Sequence, residues 1–152
     1  MIKGVRYGHT NLIARDWKSL ARFYQDVLGC VPVPPERHYK GNDLERGTGV
    51  PAAEVHGAHL RLPGHGDNGP TLEIFTYTTL ADRPHTAVNR PGFGHIAFIV
   101  DDVRVARDEV LTAGGRAIGD VVTLTAPDGA RVTWTYLADP EGNVIELQSW
   151  SR

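Results

Sequence analysis

The stretch that decides the fold is GHTNLIARD, residues 8–16, because a close copy of it, GHIAFIVDD, occupies residues 94–102. Each copy opens with Gly-His, continues with an apolar run typical of a strand and ends on an acidic residue. The copies start at residues 8 and 94, so they lie 86 residues apart. An internal repeat of this length predicts two copies of one structural module.

Helical spacing of apolar residues follows each copy, over residues 20–28 and 103–111. Asp16, and Asp101 or Asp102, can cap the two helices, and Gly29 and Gly114 follow them. Short alternating segments complete the modules; they are residues 55–62 and 71–77, then 116–124, 131–137 and 143–149. Each module therefore reads as β-α-β-β-β, and residues 41–53 and 64–70 are predicted to be loops.

The predicted fold class is α+β, in a single domain over residues 1–152 whose modules cover about 5–78 and about 92–150. A length of 152 residues with 41% hydrophobic residues suffices for one buried core. The net charge of -2 argues against nucleic acid as a partner, and the single cysteine excludes an intrachain disulfide. No apolar run approaches the ~18 residues of a membrane span, so we expect a cytoplasmic protein.

Four polar residues interrupt the apolar strands: His9, Glu73, His95 and Glu146. Period-two alternation puts small and aliphatic neighbours on the face that a helix covers, which leaves these four on the opposite face. The histidines could be hydrogen-bonded core residues and the glutamates surface residues of edge strands. Buried carboxylates are costly unless paired or bound to a cation, so the pattern favours a divalent metal site.

Further side chains share the predicted cavity face. Asn11, Phe75 and Tyr77 are candidate substrate-binding residues, and Trp134 either lines the site or fills the core. Histidines elsewhere in the chain are predicted to be solvated loop, edge or surface residues, together with Glu54; they are His38, His56, His59, His65 and His85.

The chain resembles the vicinal oxygen chelate superfamily, which includes glyoxalase I, extradiol dioxygenases and bleomycin-binding proteins. The motifs that carry the resemblance are GHTNL, FYQDVLG, PTLEIF, GFGHIAFIV and LADPEGNVIEL, in this order along the chain. The resemblance implies a curved mixed sheet of paired βαβββ modules around a metal-centred cavity. It also implies a homodimer, with the site built within one chain or across two.

The set His9, Glu73, His95 and Glu146 looks like the metal ligands of glyoxalase I. The resemblance implies one divalent ion (zinc, nickel, cobalt, manganese or ferrous iron) and a substrate that chelates it through two neighbouring oxygens. It implies a lyase or isomerase that shuttles a proton through an enediolate or enolate, with Glu146 as the first choice of base and Glu73 as the second. Ile13 and Tyr77 replace two glutathione-binding residues of bacterial glyoxalase I, which argues against a glutathione adduct as substrate.

Two other functions remain open at this stage. One is a non-haem iron extradiol-type dioxygenase, in which three of the four ligands would hold the metal and Glu73 would be surplus. The other is a metal-free resistance protein that binds an antibiotic, although such relatives generally lack the ligand residues.

Overall fold

The computed structural model describes residues 2–151 and divides into two compact units after Asp82, here called unit 1 and unit 2. Each unit is α+β, and the elements of unit 1 are β1 (His9–Ile13), α1 (Trp17–Asp26), β2 (Val31–Lys40), α2 (Asn42–Thr48), β3 (Glu54–Arg61) and β4 (Thr71–Tyr77). The elements of unit 2 are β5 (Ile96–Ile99), α3 (Val103–Thr112), β6 (Arg116–Ala117), β7 (Val122–Thr125), β8 (Arg131–Ala138) and β9 (Val144–Ser151). Within residues 2–151 no helix has the length and apolar character needed to cross a membrane.

Unit 1 is a mixed sheet in the order β1-β4-β3-β2, covered on one face by α1. β1 runs parallel to β4, and the remaining neighbours are antiparallel. Leu72 and Ile74 alternate with Glu73 along β4 and are fully buried, as is Leu60 on β3. The alternation that the sequence predicts for β4 is therefore present, with the aliphatic face turned towards the core.

Unit 2 repeats this arrangement, with β5 parallel to β9 and β9 antiparallel to β8. β6 and β7 then pair with successive parts of β8. Ile145 and Leu147 are fully buried on either side of Glu146, and Val110 of α3 is buried with them. The prediction of two β-α-β-β-β modules of the α+β class is thus confirmed.

Both long helices begin at an aspartate. Asp16 accepts hydrogen bonds from the amides of Lys18 and Ser19 before α1, and Asp102 accepts from those of Arg104 and Val105 before α3. These bonds satisfy amides that have no partner inside the helix. Of the two candidates offered by the sequence, Asp102 rather than Asp101 is the cap.

Strand β2 and helix α2 lie outside the segments that the sequence pattern identified. β2 contains three prolines in the run VPVPPERHYK, which hide its strand character because proline lacks an amide donor. It lies at the edge of the sheet, where prolines are tolerated. The predicted loop over residues 41–53 is wrong in part, since α2 occupies Asn42–Thr48.

The structural repeat also includes the edge strands, β2 in unit 1 and β6 with β7 in unit 2, which the sequence pattern did not reveal as equivalent. In β2, residues 34–36 lie opposite Ala58 alone, which leaves two extra residues on the edge strand. Between β6 and β7, residues 118–121 lie opposite Thr135 and Tyr136, again with two extra residues. Both units therefore bulge at their edge strand by the same amount.

Candidate metal centre

In unit 1, His9 and Glu73 meet across the parallel pair of strands β1 and β4. The Nδ1 atom of His9 lies 3.4 Å from Oε1 of Glu73, whose side chain is only 12% exposed. Strand register places Asn11 beside Glu73, and its Nδ2 donates a hydrogen bond of 3.4 Å to Oε2. Two residues that the sequence singled out, His9 and Asn11, therefore contact the carboxylate of a third, Glu73.

His59 is a fourth member of this group that the sequence analysis missed. It pairs with Glu73 across β3 and β4, and its Nε2 lies 3.2 Å from the Glu73 Oε1 atom. Burial lowers the pKa of the His59 imidazole, while the charge of Glu73 raises it in part. The expectation of a solvated edge residue is wrong because the antiparallel register between β3 and β4 turns His59 towards Glu73.

Phe75 and Tyr77 follow Glu73 on the same face of β4, and both are half-buried. The Phe75 ring makes an edge contact with His59, at 5.8 Å between ring centroids. It also lies against Gly57 on β3, where any Cβ atom would overlap the ring and the Ile74 carbonyl. Aromatic bulk thus flanks the carboxylate on one side.

In unit 2, His95 and Glu146 form the equivalent pair. The Nε2 atom of His95, directly before β5, lies 2.8 Å from Oε2 of Glu146 on β9, whose side chain is 16% exposed. Tyr136 pairs with Glu146 across β8 and β9, and its ring centroid lies 5.1 Å from that of His95. Burial raises the pKa of Tyr136, and the charge of Glu146 raises it further.

Trp134 contacts this second pair through Tyr136, in an edge arrangement with 4.8 Å between ring centroids. It lies two residues before Tyr136 on the same face of β8, since alternate residues of a strand share a face. Trp134 is half-buried. It therefore lies on the same face as Glu146, and its role in lining a substrate site stays a prediction.

The two pairs occupy matching points of the repeat, one in each unit. Each supplies an imidazole nitrogen and a carboxylate oxygen, and each carboxylate is half-buried between aliphatic neighbours. These are donors that suit zinc, nickel, cobalt, manganese or ferrous iron. A carboxylate in such surroundings is stabilised by a bound cation, so the residues present fit the metal that the sequence analysis predicts.

The order of strands and helices and the repeated His–Glu pair together define a protein of the paired βαβββ class. The family model of the glyoxalase-like domain matches residues 9–148, and the chain therefore belongs to that family, within the vicinal oxygen chelate superfamily. No curated protein sequence matches the chain significantly.

Solved structures agree with this fold. A glyoxalase family protein from Bacillus cereus matches with a TM-score of 0.81 at 21% identity, over 99% of this chain and 97% of the other. A glyoxylase/bleomycin resistance protein/dioxygenase domain from Frankia sp. EAN1pec matches with a TM-score of 0.62 at 19% identity, over 99% and 100%. The fosfomycin resistance protein FosX from Listeria monocytogenes, complexed with Mn(II) and sulfate, matches with a TM-score of 0.51 at 15% identity, over 98% and 93%.

Proposed function

We propose that this protein is a divalent-metal-dependent lyase or isomerase that acts on a small substrate with two neighbouring oxygens. The observation that carries the proposal is the recurrence of one His–Glu pair at matching points of both units, at 3.4 Å in unit 1 and 2.8 Å in unit 2. In both units the carboxylate of the pair is largely buried on the face opposite the aliphatic core, where a bound cation would offset the cost of burying its charge.

His9, Glu73, His95 and Glu146 would together hold one ion, chosen from zinc, nickel, cobalt, manganese and ferrous iron. The four ligands come from one chain or from two chains of a homodimer. The Mn(II) in the FosX structure supports a metal role for the fold. The bound ion would polarise the two substrate oxygens as a Lewis acid.

Proton transfer is assigned to the glutamates. Glu146 would take the proton from the carbon beside the polarised carbonyl and return it to the neighbouring carbon, with Glu73 as the second candidate. The half-buried environment of Glu146, between His95 and the ring of Tyr136, keeps the carboxylate away from bulk water.

Asn11, Phe75, Tyr77 and Trp134 would line the substrate site around these groups. Tyr77 and Ile13 carry no charge to pair with a substrate carboxylate, and Ile13 is an exposed apolar residue. A small α-hydroxycarbonyl or dicarbonyl compound therefore suits the site better than a glutathione adduct, whose carboxylates would lack a cationic partner.

Two rival functions make different predictions. An extradiol-type dioxygenase would consume oxygen on adding a catechol to the ferrous protein. A metal-free antibiotic-binding protein would bind its drug equally well before and after treatment with a chelator. The close contact of each glutamate with a histidine favours the metal-dependent reading over the second of these.

The test begins with metal content, measured by elemental mass spectrometry on protein without a metal-binding tag. We expect about one ion per chain at this site, lost in Glu73→Ala/Glu146→Ala and retained in the control Glu36→Ala/Glu109→Ala, which removes one exposed glutamate from each unit. Solvent deuterium exchange into a panel of α-hydroxycarbonyl compounds, followed by NMR, then reports proton transfer directly. Equal metal content in both double variants would sink the proposal.

A further inference from the structure

A second group of possible metal ligands lies in unit 1, apart from the candidate metal centre. It consists of His38 on β2 and of Glu54 and His56 on β3, and one ligand atom from each lies within 4.8 Å of the others. The Nε2 atoms of His38 and His56 lie 2.7 Å and 3.5 Å from the same Glu54 Oε1 atom. We refer to these three residues as the β2–β3 cluster.

The sheet holds the β2–β3 cluster in place. His38 and His56 are direct partners across the antiparallel strands, and their rings stack at 4.0 Å between centroids with 17° between planes. Glu54 lies two residues before His56, so both side chains leave the same face of β3. Because the three donors lie on two hydrogen-bonded strands, they need little rearrangement to bind one metal ion.

The cluster and the candidate metal centre lie on opposite faces of the sheet. His56 pairs with Thr76, whose hydroxyl accepts a hydrogen bond from the Trp17 amide at the start of α1. His59 pairs with Glu73 instead, and it lies an odd number of residues from His56. Side chains separated by an odd number of residues on a regular strand point to opposite faces, so the cluster shares no ligand with the centre.

The donor set selects a class of ion. Two imidazole nitrogens and one carboxylate oxygen suit zinc, copper(II) or nickel, whereas magnesium and calcium favour oxygen ligands throughout. Ligand atoms around a tetrahedral zinc at its usual bond lengths are about 3.3 Å apart, a separation that lies between the two observed nitrogen–oxygen distances. The side chains are 33–47% exposed, so water can complete the coordination.

We propose that His38, Glu54 and His56 bind a second divalent transition-metal ion, of the zinc, copper(II) or nickel type. The ion would replace the hydrogen bond between His38 and Glu54 and would link β2 to β3 at the end of the sheet that leads into α2. The site depends on no residue of the proposed active centre. The two proposals can therefore fail separately.

The experiment is equilibrium dialysis of the full chain, without a tag, against buffered Zn²⁺ at pH 7.5, with zinc per chain read by elemental mass spectrometry. His38→Asn/His56→Asn is compared with wild type and with the matched control His65→Asn/His85→Asn, which removes two exposed histidines from loops. We expect the first double variant to bind one zinc fewer than wild type and the control to match wild type. Equal zinc in all three proteins would overturn the second site.

Two further variants complete the design. Glu54→Gln keeps the size of the side chain but removes its charge, and we expect the zinc affinity of this site to fall by more than about 100-fold, since loss of a ligand exceeds the 10–100-fold effect of outer-shell changes. Unchanged affinity would count against the site even if the double variant misfolded. Glu73→Gln/Glu146→Gln should keep the zinc of the β2–β3 cluster, and its loss of the ion at the candidate metal centre tests the proposed function alone.

Discussion

In unit 1 the glutamate of the candidate metal centre faces a histidine across the strand pair, whereas the equivalent glutamate of unit 2 faces a tyrosine. Glu73 is surrounded by His9, Asn11 and His59, all of which offer polar atoms within 3.4 Å. Glu146 has one close histidine and the ring of Tyr136. We therefore expect unit 1 to contribute more to holding the metal and unit 2 more to moving the proton.

The aromatic residues beside the two glutamates also come from different strands. Phe75 on β4 lies against Gly57 on β3, whereas at the equivalent pair of unit 2 the large residue, Trp134, is on β8 and its partner, Gln148, is on β9. The large side chain has moved to the other member of the strand pair. The two units thus keep the same strand pairing, although the large aromatic side chain lies on opposite members of the equivalent residue pair.

The largest expected effect is on the rate of proton transfer, and it should differ between Glu146 and Glu73. Glu146→Gln should lower the rate of deuterium exchange into the substrate by about 10²–10⁴-fold, the range that a positioned general base supplies, while Glu73→Gln should cost less. Exchange is followed by NMR with metal content measured in parallel, so that loss of metal is not mistaken for loss of the base. A larger effect at Glu73 would reverse the division of roles between the units.

The next prediction concerns the residue that pairs with each glutamate on the neighbouring strand, His59 in unit 1 and Tyr136 in unit 2. His59→Phe should weaken metal affinity by about 10–100-fold, because His59 holds the Glu73 carboxylate from a neighbouring strand. Tyr136→Phe, at the equivalent point of unit 2, serves as the matched control and should leave the affinity nearly unchanged. Competition with a chelating dye gives both values, and equal losses would remove the distinction drawn between the units.

A smaller effect concerns stability in unit 1. Gly57→Ala should lower the free energy of unfolding by about 1–3 kcal/mol, since the added methyl group overlaps the Phe75 ring and the Ile74 carbonyl. Urea denaturation checks the value. The double variant Gly57→Ala/Phe75→Leu should recover part of the loss by making room for the methyl group, and no recovery would show that the backbone contact dominates.

The smallest effect compares the two helix caps. Asp16→Ala and Asp102→Ala should each cost about 1 kcal/mol in urea denaturation at pH 7, because each aspartate accepts two amide hydrogen bonds. A cost confined to one variant would show that one helix start is held by other contacts.

The pH dependence of the first cap follows from its pKa. Hydrogen bonds from Ser19 hold the pKa of Asp16 below its ordinary value of 3.8. Because the folded pKa is depressed, the stabilisation is present above pH 3.8 and disappears as the pH falls through the folded pKa. The stability difference between wild type and Asp16→Ala should therefore shrink in urea titrations carried from pH 5 towards pH 2, and a difference that grew would contradict the assignment.

The sequence predicted best those features that depend on local alternation. Leu72, Glu73 and Ile74 lie on the predicted faces, and so do Ile145 and Glu146, because a half-buried strand repeats every two residues. The repeat GHTNLIARD and GHIAFIVDD was enough to place both histidines and both long helices.

Features that depend on strand register were missed. His59 reaches Glu73, and His38 meets His56, only because of how β3 pairs with its two neighbours, and no local pattern encodes that pairing. The prolines of β2 concealed the partner strand that brings His38 to the β2–β3 cluster.

Those prolines also affect how the protein behaves in a crowded solution. An edge strand with free amides can recruit a strand from another molecule and so start aggregation. Pro32, Pro34 and Pro35 have no amide hydrogen to offer along the outer edge of β2. A strand from another molecule would find fewer amide donors along β2, so the sheet would not extend readily at this edge. The prolines that obscured β2 in the sequence therefore also protect the protein against aggregation.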